Sequence, residues 1–181
     1  KSLFRSFDPD IKIELKQGKN FRLDANLRHQ INTIPGVAKV VEVIEDNALF
    51  CYQDRQLVAK LKGVSDNFLD QSPLETFIEQ GSLRLKQGDK DLALIGMGIQ
   101  YALSISLANE FEALQVFYPK NIQGSAIIPQ QLYNRKSIRP GAVFAVEKHF
   151  DEHYVIVPLA FPATLLGMGD RRTALEVQVA K

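Results

Sequence analysis

The sequence predicts an α+β fold in which strands outnumber helices, and three observations carry that expectation. Apolar residues mostly alternate or fall in short blocks of strand length, as in residues 11–15, 37–44, 91–95 and 174–179. Helical spacing is confined to a few stretches, the clearest after Asp24 and after Asp151. Gly, Pro and Asp-Asn punctuation cuts the chain between these units. At 181 residues the chain is one domain or two small intertwined ones, long enough to bury a real core.

The elements follow in order. Residues 11–15 (Ile-Lys-Ile-Glu-Leu) alternate as a half-buried strand, and Gln17 with Gly18 marks a turn. Asp24 caps a helix whose apolar positions are Leu27, Ile31 and Ile34, ended by Pro35 and Gly36. Residues 37–44 (Val-Ala-Lys-Val-Val-Glu-Val-Ile) are β-branched and read as a strand. Residues 11–44 thus have the size and order of a parallel crossover. Residues 48–52 and 56–61 flank Asp54-Arg55 as a hairpin, closed by Gly63. Short helical turns are expected across 66–80, then a connector over 81–89.

The stretch 91–118 is the centre of the chain: a short apolar run ending at Gly96, a helix start over 98–103, and a second strand over 113–118. Gly96-x-Gly98 has the beginning of a dinucleotide loop. Tyr101 stands where the third glycine would allow close packing, and no acid ends the next strand, so the glycines read as a tight strand-to-helix turn. Residues 119–140 hold Pro119, Gly124, Pro129 and Pro140 among bulky residues, and read as a long ordered loop without regular structure. Residues 142–146 make a strand. Asp151 caps a helix carrying Tyr154, Val155, Leu159, Leu165 and Leu166, starting nearer Pro158 if its first turn is extended. Residues 174–179 alternate as a final strand.

Near-zero net charge with interspersed signs gives no electrostatic footprint for nucleic acid. A lone Cys51 excludes an internal disulfide, and it reads as an inert half-buried thiol. No apolar run approaches bilayer-spanning length. A start without Met and an end on a strand-like run suggest a soluble piece of a larger protein. His149-x-x-Glu152-His153 spells an inverted zinc-protease motif. His149 follows a strand directly, so the two rings are expected to diverge, and His29 and Glu176 are the only conspicuous third ligands. Ser104 and Ser106 lack the nucleophile elbow. Asp170-Arg171-Arg172 reads as a charged turn. No catalytic residue, metal or cofactor is expected. The strongest candidate for specific binding is 119–140, where Arg135, Lys136 and Arg139 interleave with Tyr133 and Ile138.

An ordered set of short motifs carries a resemblance over essentially the whole chain. They are Ser6-Phe7-Asp8-Pro9-Asp10-Ile11-Lys12-Ile13, Ile34-Pro35-Gly36-Val37, Leu61-Lys62-Gly63-Val64 and Ala93-Leu94-Ile95-Gly96-x-Gly98-Ile99. Tyr154-Val155-Ile156-Val157-Pro158-Leu159, Leu165-Leu166 and Ala174-Leu175-Glu176-Val177 complete the set. The chain resembles the MacB-like periplasmic core domain of FtsX-family ABC-transporter permeases, and within it lipoprotein-releasing permeases of the LolC/LolE kind. The resemblance implies a two-lobed domain: a membrane-proximal α/β lobe of about residues 1–62 plus 150–181, and an inserted β-rich lobe of about 63–149. It implies that residues 11–15 and 174–179 share a sheet. It implies a non-catalytic periplasmic domain of a bacterial inner-membrane protein, moved by a cytoplasmic ATPase subunit, beside a second permease subunit. In the lipoprotein-releasing branch a proline-bearing hook grips a periplasmic carrier. By position, Pro129, Tyr133, Arg135, Arg139 and Pro140 are the candidate partner-binding residues. Alternatives are an efflux or cell-wall-hydrolase-regulating permease, a small zinc hydrolase using His149, Glu152 and His153, and an adhesin-like structural domain.

Overall fold

The computed structural model describes residues 8–120 and 132–181. Its elements are β1 (Ile11–Ile13), β2 (Phe21–Arg22), α1 (Ala25–Asn32), β3 (Val37–Tyr52), β4 (Arg55–Val64), β5 (Ile78–Gly81), β6 (Lys86–Gln87) and β7 (Lys90–Gly96). There follow α2 (Met97–Leu103), β8 (Leu114–Pro119), β9 (Tyr133–Phe144), α3 (Lys148–His153), β10 (Tyr154–Pro158), α4 (Ala160–Leu165), β11 (Arg171–Arg172) and β12 (Ala174–Val179). Two short 3-10 turns, Asp66–Leu69 and Pro73–Phe77, bridge β4 and β5. This is the mixed α+β class expected from the pattern of short strands.

The sheet closes on itself. β3 pairs with β4, β4 with β10, β10 with β7, β7 with β9, β9 with β8, and β8 returns to the far half of β3. Closure removes the free edges that an open sheet would expose. Alternate residues of all six strands point inward: Ala48, Phe50 and Tyr52; Ala59 and Leu61; Ala93 and Ile95; Leu114 and Val116; Ile138; Val155 and Val157. Ile99 and Leu103 of α2 and Phe161 and Leu165 of α4 pack into the same core. The period of two in the sequence is therefore the barrel's inside–outside alternation.

β3 is long enough to serve two partners on one edge. Its first half pairs with β12 (Val43↔Ala174), and its last residues pair with β8 (Leu49↔Phe117). Between them side chains stand in for a strand: the Thr173 hydroxyl accepts from Glu45 N at 2.8 Å, and Asp46 Oδ1 from Asn47 N at 2.8 Å. β12 also pairs antiparallel with β1, Ile11 opposite Val177. β1 and β3 thus run parallel with β12 between them, a crossover split by the C-terminal strand. α1 covers one side of this extension over Leu23, Val40, Leu175 and Val177. Asp24 caps it as expected, accepting from Leu27 N at 2.8 Å. On the opposite side Val41, Val43, Leu94, Phe144 and Ile156 pack under Leu74, Leu85 and the 3-10 turns.

Two expectations fail. Residues 133–140 belong to strand β9 instead of an irregular loop, paired from Pro119↔Tyr133 to Leu114↔Ile138. Pro140 is tolerated because the β7 register slips between Ala93 and Leu94 beside it. The helix expected from Asp151 is α3, strand β10 and α4 in succession, and α4 begins just past Pro158, near the later start that an extended first turn allows. Val155-Ile156-Val157 is β-branched and buried, and tertiary pairing with β4 overrides the helical spacing. Glu147, not Asp151, caps α3 by accepting from Phe150 N at 2.6 Å.

Candidate functional site

The β8–β9 hairpin presents two faces set by strand alternation. Inward, Asn134 Nδ2 donates to Leu165 O at 3.0 Å, and the Lys136 ammonium lies 4.9 Å from the Phe161 ring centroid. These contacts fix β9 against α4. Outward, Tyr133 and Arg135 are exposed. Directly opposite residues share a face, so Arg135 continues a row through Phe117, Leu49 and the exposed Val58. Lys60 and Asn47 occupy the neighbouring row, and Gln56, Cys51, Gln115 and Ser137 the next. The outer wall there is apolar at its middle, basic at its margin and free of carboxylates. Burial pushes the Cys51 thiol up, consistent with an inert side chain.

Of the candidate binding residues, Tyr133 and Arg135 sit together on this wall. Arg139 is half-buried, with a guanidinium nitrogen 3.9 Å from Glu110. Pro140 is buried in the pairing with β7, so it serves the strand, not a partner. Pro129 lies outside the described residues. At the hairpin's base Tyr118 Oη donates to Asp46 Oδ2 at 2.6 Å, locking β8 to β3. Burial and then this carboxylate push the Tyr118 phenol up to about 12. A cleft of about 530 Å³ opens beside this bond, where β12 and β8 part on β3, and Glu14, Glu45, Glu176, Lys12 and Lys19 line it.

Sequence reading missed Phe111. It is 99% exposed between Glu110 and Glu112 on the connector after α2, held by Phe111 N donating to Asn109 Oδ1 at 3.1 Å. Its only sequence signal is an aromatic between acids in a stretch with no period. The reading also missed an ion network. Glu42 accepts from Arg172 Nε at 2.9 Å and from Arg28 Nε and Nη2 at 3.0 and 3.1 Å. Arg172 is only 8% exposed, and its Nη1 donates to Gly169 O and Arg171 O. Desolvation works against the Glu42 charge, but the two guanidinium partners hold its carboxyl below the usual range. The expected charged turn is thus half internal: Asp170 bonds Arg22 at the surface, while Arg172 ties β11 to β3 and, through Glu42, to α1.

The paired histidines do not diverge. They stand one turn apart on α3 with ring centroids 4.4 Å apart, and His153 Nδ1 is 2.6 Å from His149 O. Glu176 shares a cleft with His149, but its carboxylate accepts from Lys62 Nζ at 2.6 Å. His29 is on α1. Among the described residues no three His, Cys, Asp or Glu groups gather as a metal set. Gly96 and Gly98 owe their place to α3. A Cβ at Gly96 would overlap the Asp151 carbonyl, and one at Gly98 would fall 2.6 Å from Glu152 Cγ. Gly96 itself has φ −61°, so close helix packing, not turn geometry, requires it.

This architecture is similar to that of solved extracytoplasmic domains of transporters. The extracellular domain of the ABC-type transporter YknZ from Gram-positive bacteria superposes with TM-score 0.61 at 15% identity, over 93% of this chain and 78% of that one. The periplasmic region of MacB from Actinobacillus actinomycetemcomitans gives 0.53 at 13% identity, over 90% and 73%. At these identities the likeness is one of fold. No protein-family model and no curated protein sequence matches the chain. Among the described residues no helix is long and apolar enough to cross a membrane.

Proposed function

We propose that this chain is the non-catalytic periplasmic domain of an ABC-transporter permease, transmitting an ATP-driven movement from the membrane to a periplasmic partner. One observation carries the reading: the antiparallel β1–β12 pair sets the first and last described residues side by side, with Val179 N donating to Asp10 Oδ2 at 2.9 Å. A domain spliced between two membrane helices needs that arrangement. The ATPase is a separate cytoplasmic subunit, and a second permease subunit completes the transporter. The proposed lobes, about 1–62 with 150–181 and about 63–149, share the barrel: β3, β4 and β10 come from one, β7, β8 and β9 from the other. A displacement of the first reaches the second through continuous hydrogen bonding.

Within that class the reading is lipoprotein release to a soluble carrier, gripped by the β8–β9 hairpin with Tyr133 and Arg135 at its base. The support is position and chemistry: an exposed Tyr and Arg beside an apolar row, the residue types that dominate binding hot spots. The test is a pull-down with a periplasmic lipoprotein carrier. Two variants are compared: residues 120–132 replaced by Gly-Ser, and Tyr133→Ser with Arg135→Ser. Either is expected to lower capture at least about tenfold, the loss of one hot-spot contact. Undiminished capture by both variants would remove the carrier reading and leave the permease class standing.

A further inference from the structure

α3 carries two imidazoles at one spot, and the transmission reading makes no use of them. His149 and His153 stand four residues apart on α3 with ring centroids 4.4 Å apart, the spacing that puts side chains on one helical face. The same spacing lets two histidines of a helix chelate one metal ion. His149 is exposed and His153 half-buried. The only other histidine of the chain, His29, is on α1.

Local hydrogen bonding prepares the pair. His153 Nδ1 lies 2.6 Å from the His149 carbonyl oxygen, which can only accept, so Nδ1 carries the proton and donates. That bond leaves the lone pair of the neutral ring on Nε2. A ring nitrogen anchored to a backbone carbonyl, with the other nitrogen free, is the arrangement of metal-ligating histidines. The helix beneath is short but pinned. The Phe150 ring stacks on Tyr154 at 4.7 Å and meets Phe144 at 5.3 Å. Glu147 accepts from Phe150 N, and Asp151 accepts from Val146 N. Gly96 and Gly98 let α3 lie close against α2. Ligands held on a pinned element lose little freedom on binding.

We propose that His149 and His153 form a two-imidazole site for a divalent transition metal, Cu²⁺ most tightly, with water completing the coordination. Imidazole nitrogen suits Cu²⁺, Zn²⁺ and Ni²⁺, and of these Cu²⁺ binds a given nitrogen site most strongly. Metal–nitrogen bonds of about 2.0–2.1 Å let two donors up to about 4 Å apart share an ion, a span that a small swing of the exposed His149 ring reaches. The site binds without hydrolysing. Glu152, which would be the base of a hydrolase, packs against Gly98 of α2 instead. Glu176, across the cleft from His149, is held by Lys62. Among the described residues no third protein ligand joins the pair.

The test titrates Cu²⁺ into the untagged chain by calorimetry and records the electron paramagnetic resonance spectrum of the loaded protein. His149→Ala and His153→Ala are compared with His29→Ala. Loss of an outer-shell partner alone costs about 10–100-fold in metal affinity, so loss of a ligand in either α3 variant should weaken Cu²⁺ binding at least about tenfold. His29→Ala should leave it unchanged. The wild-type spectrum should show coupling to two imidazole nitrogens, and that of either α3 variant coupling to one. No Cu²⁺ binding by the wild type, or binding undiminished in either α3 variant, overturns the proposal. So does an equal loss in His29→Ala, which would mean that the ion bridges two copies of the chain. The outcome does not depend on the transmission reading.

Discussion

Replacing Glu42 with alanine tests whether α1 and β11 are held to β3 as one body. Glu42 joins α1 to β11 through Arg28 and Arg172, whose side chains are 40% and 10% exposed against 17% for Glu42 itself. Removing one partner of a buried ion pair costs about 3–5 kcal/mol, because the remaining charge is left without compensation. Arg172 keeps its bonds to Gly169 O and Arg171 O, which puts the loss near the lower bound. The more exposed Arg28 pair adds about 0.5 kcal/mol. Glu42→Ala should therefore destabilise by about 3 kcal/mol, lowering the thermal midpoint by about 6–12 °C for a domain of this size. Arg28→Ala serves as control and should cost about 0.5 kcal/mol. The Glu42 carboxyl titrates below its ordinary range in the folded state, so its contribution is fully present above the unfolded value of 4.5. It is lost as pH falls through the lower folded value. The gap between wild type and Glu42→Ala, measured by calorimetry, should hold near neutrality and close on acidification below about 4.5. A midpoint for Glu42→Ala no lower than that of Arg28→Ala would refute the reasoning.

Two further perturbations address the barrel. Gly96→Ala drives a methyl group into the Asp151 carbonyl and should cost about 1–3 kcal/mol in urea unfolding, since backbone must move to admit it. A neutral result would mean that α2 and α3 are not in the close contact described. Tyr118 and Tyr154 should ionise at about pH 12 in an ultraviolet titration. Asp46→Asn should bring Tyr118 down while leaving Tyr154, which burial and the Glu45 and Glu176 charges hold up. Folding favours the neutral phenol, so Tyr118 contributes stability below the unfolded value of 10.0 that is lost as pH rises through about 12. An unchanged Tyr118 titration in Asp46→Asn would dissociate the phenol from that carboxylate.

What was legible in the sequence was what neighbours dictate. Asp24 and its helix, the hairpin around Asp54, and the strand ending at Gly96 each rest on spacing within a dozen residues, and each is found. Closure of the barrel was not legible, because its defining pairs join residue 60 to 154 and residue 49 to 117. Period-two patterning says which face a strand buries and nothing about its neighbour. A proline misled once: Pro140 sits at a register slip inside β9, whereas Pro158 ends strand β10 just before α4, near the later helix start that the sequence allowed. The proposed binding wall was half legible. Tyr133 and Arg135 stood out by type, but the row that gives them meaning comes from Leu49, Val58 and Phe117 on other strands. Arg172 could not be told from its surface neighbour Arg171, since only packing against Glu42, 130 residues away, buries it.

The sixteen residues of β3 run without interruption from the turn at residues 32–36, bonded to Ala180, to the β3–β4 turn. At about 3.3 Å per residue its contour is about 50 Å, so a 10° tilt imposed at its foot sweeps the far turn through about 9 Å. Gearing of that size comes from geometry alone: in the proposed tethered setting a small tilt at the foot of β3 would become a displacement of about 9 Å at its far turn.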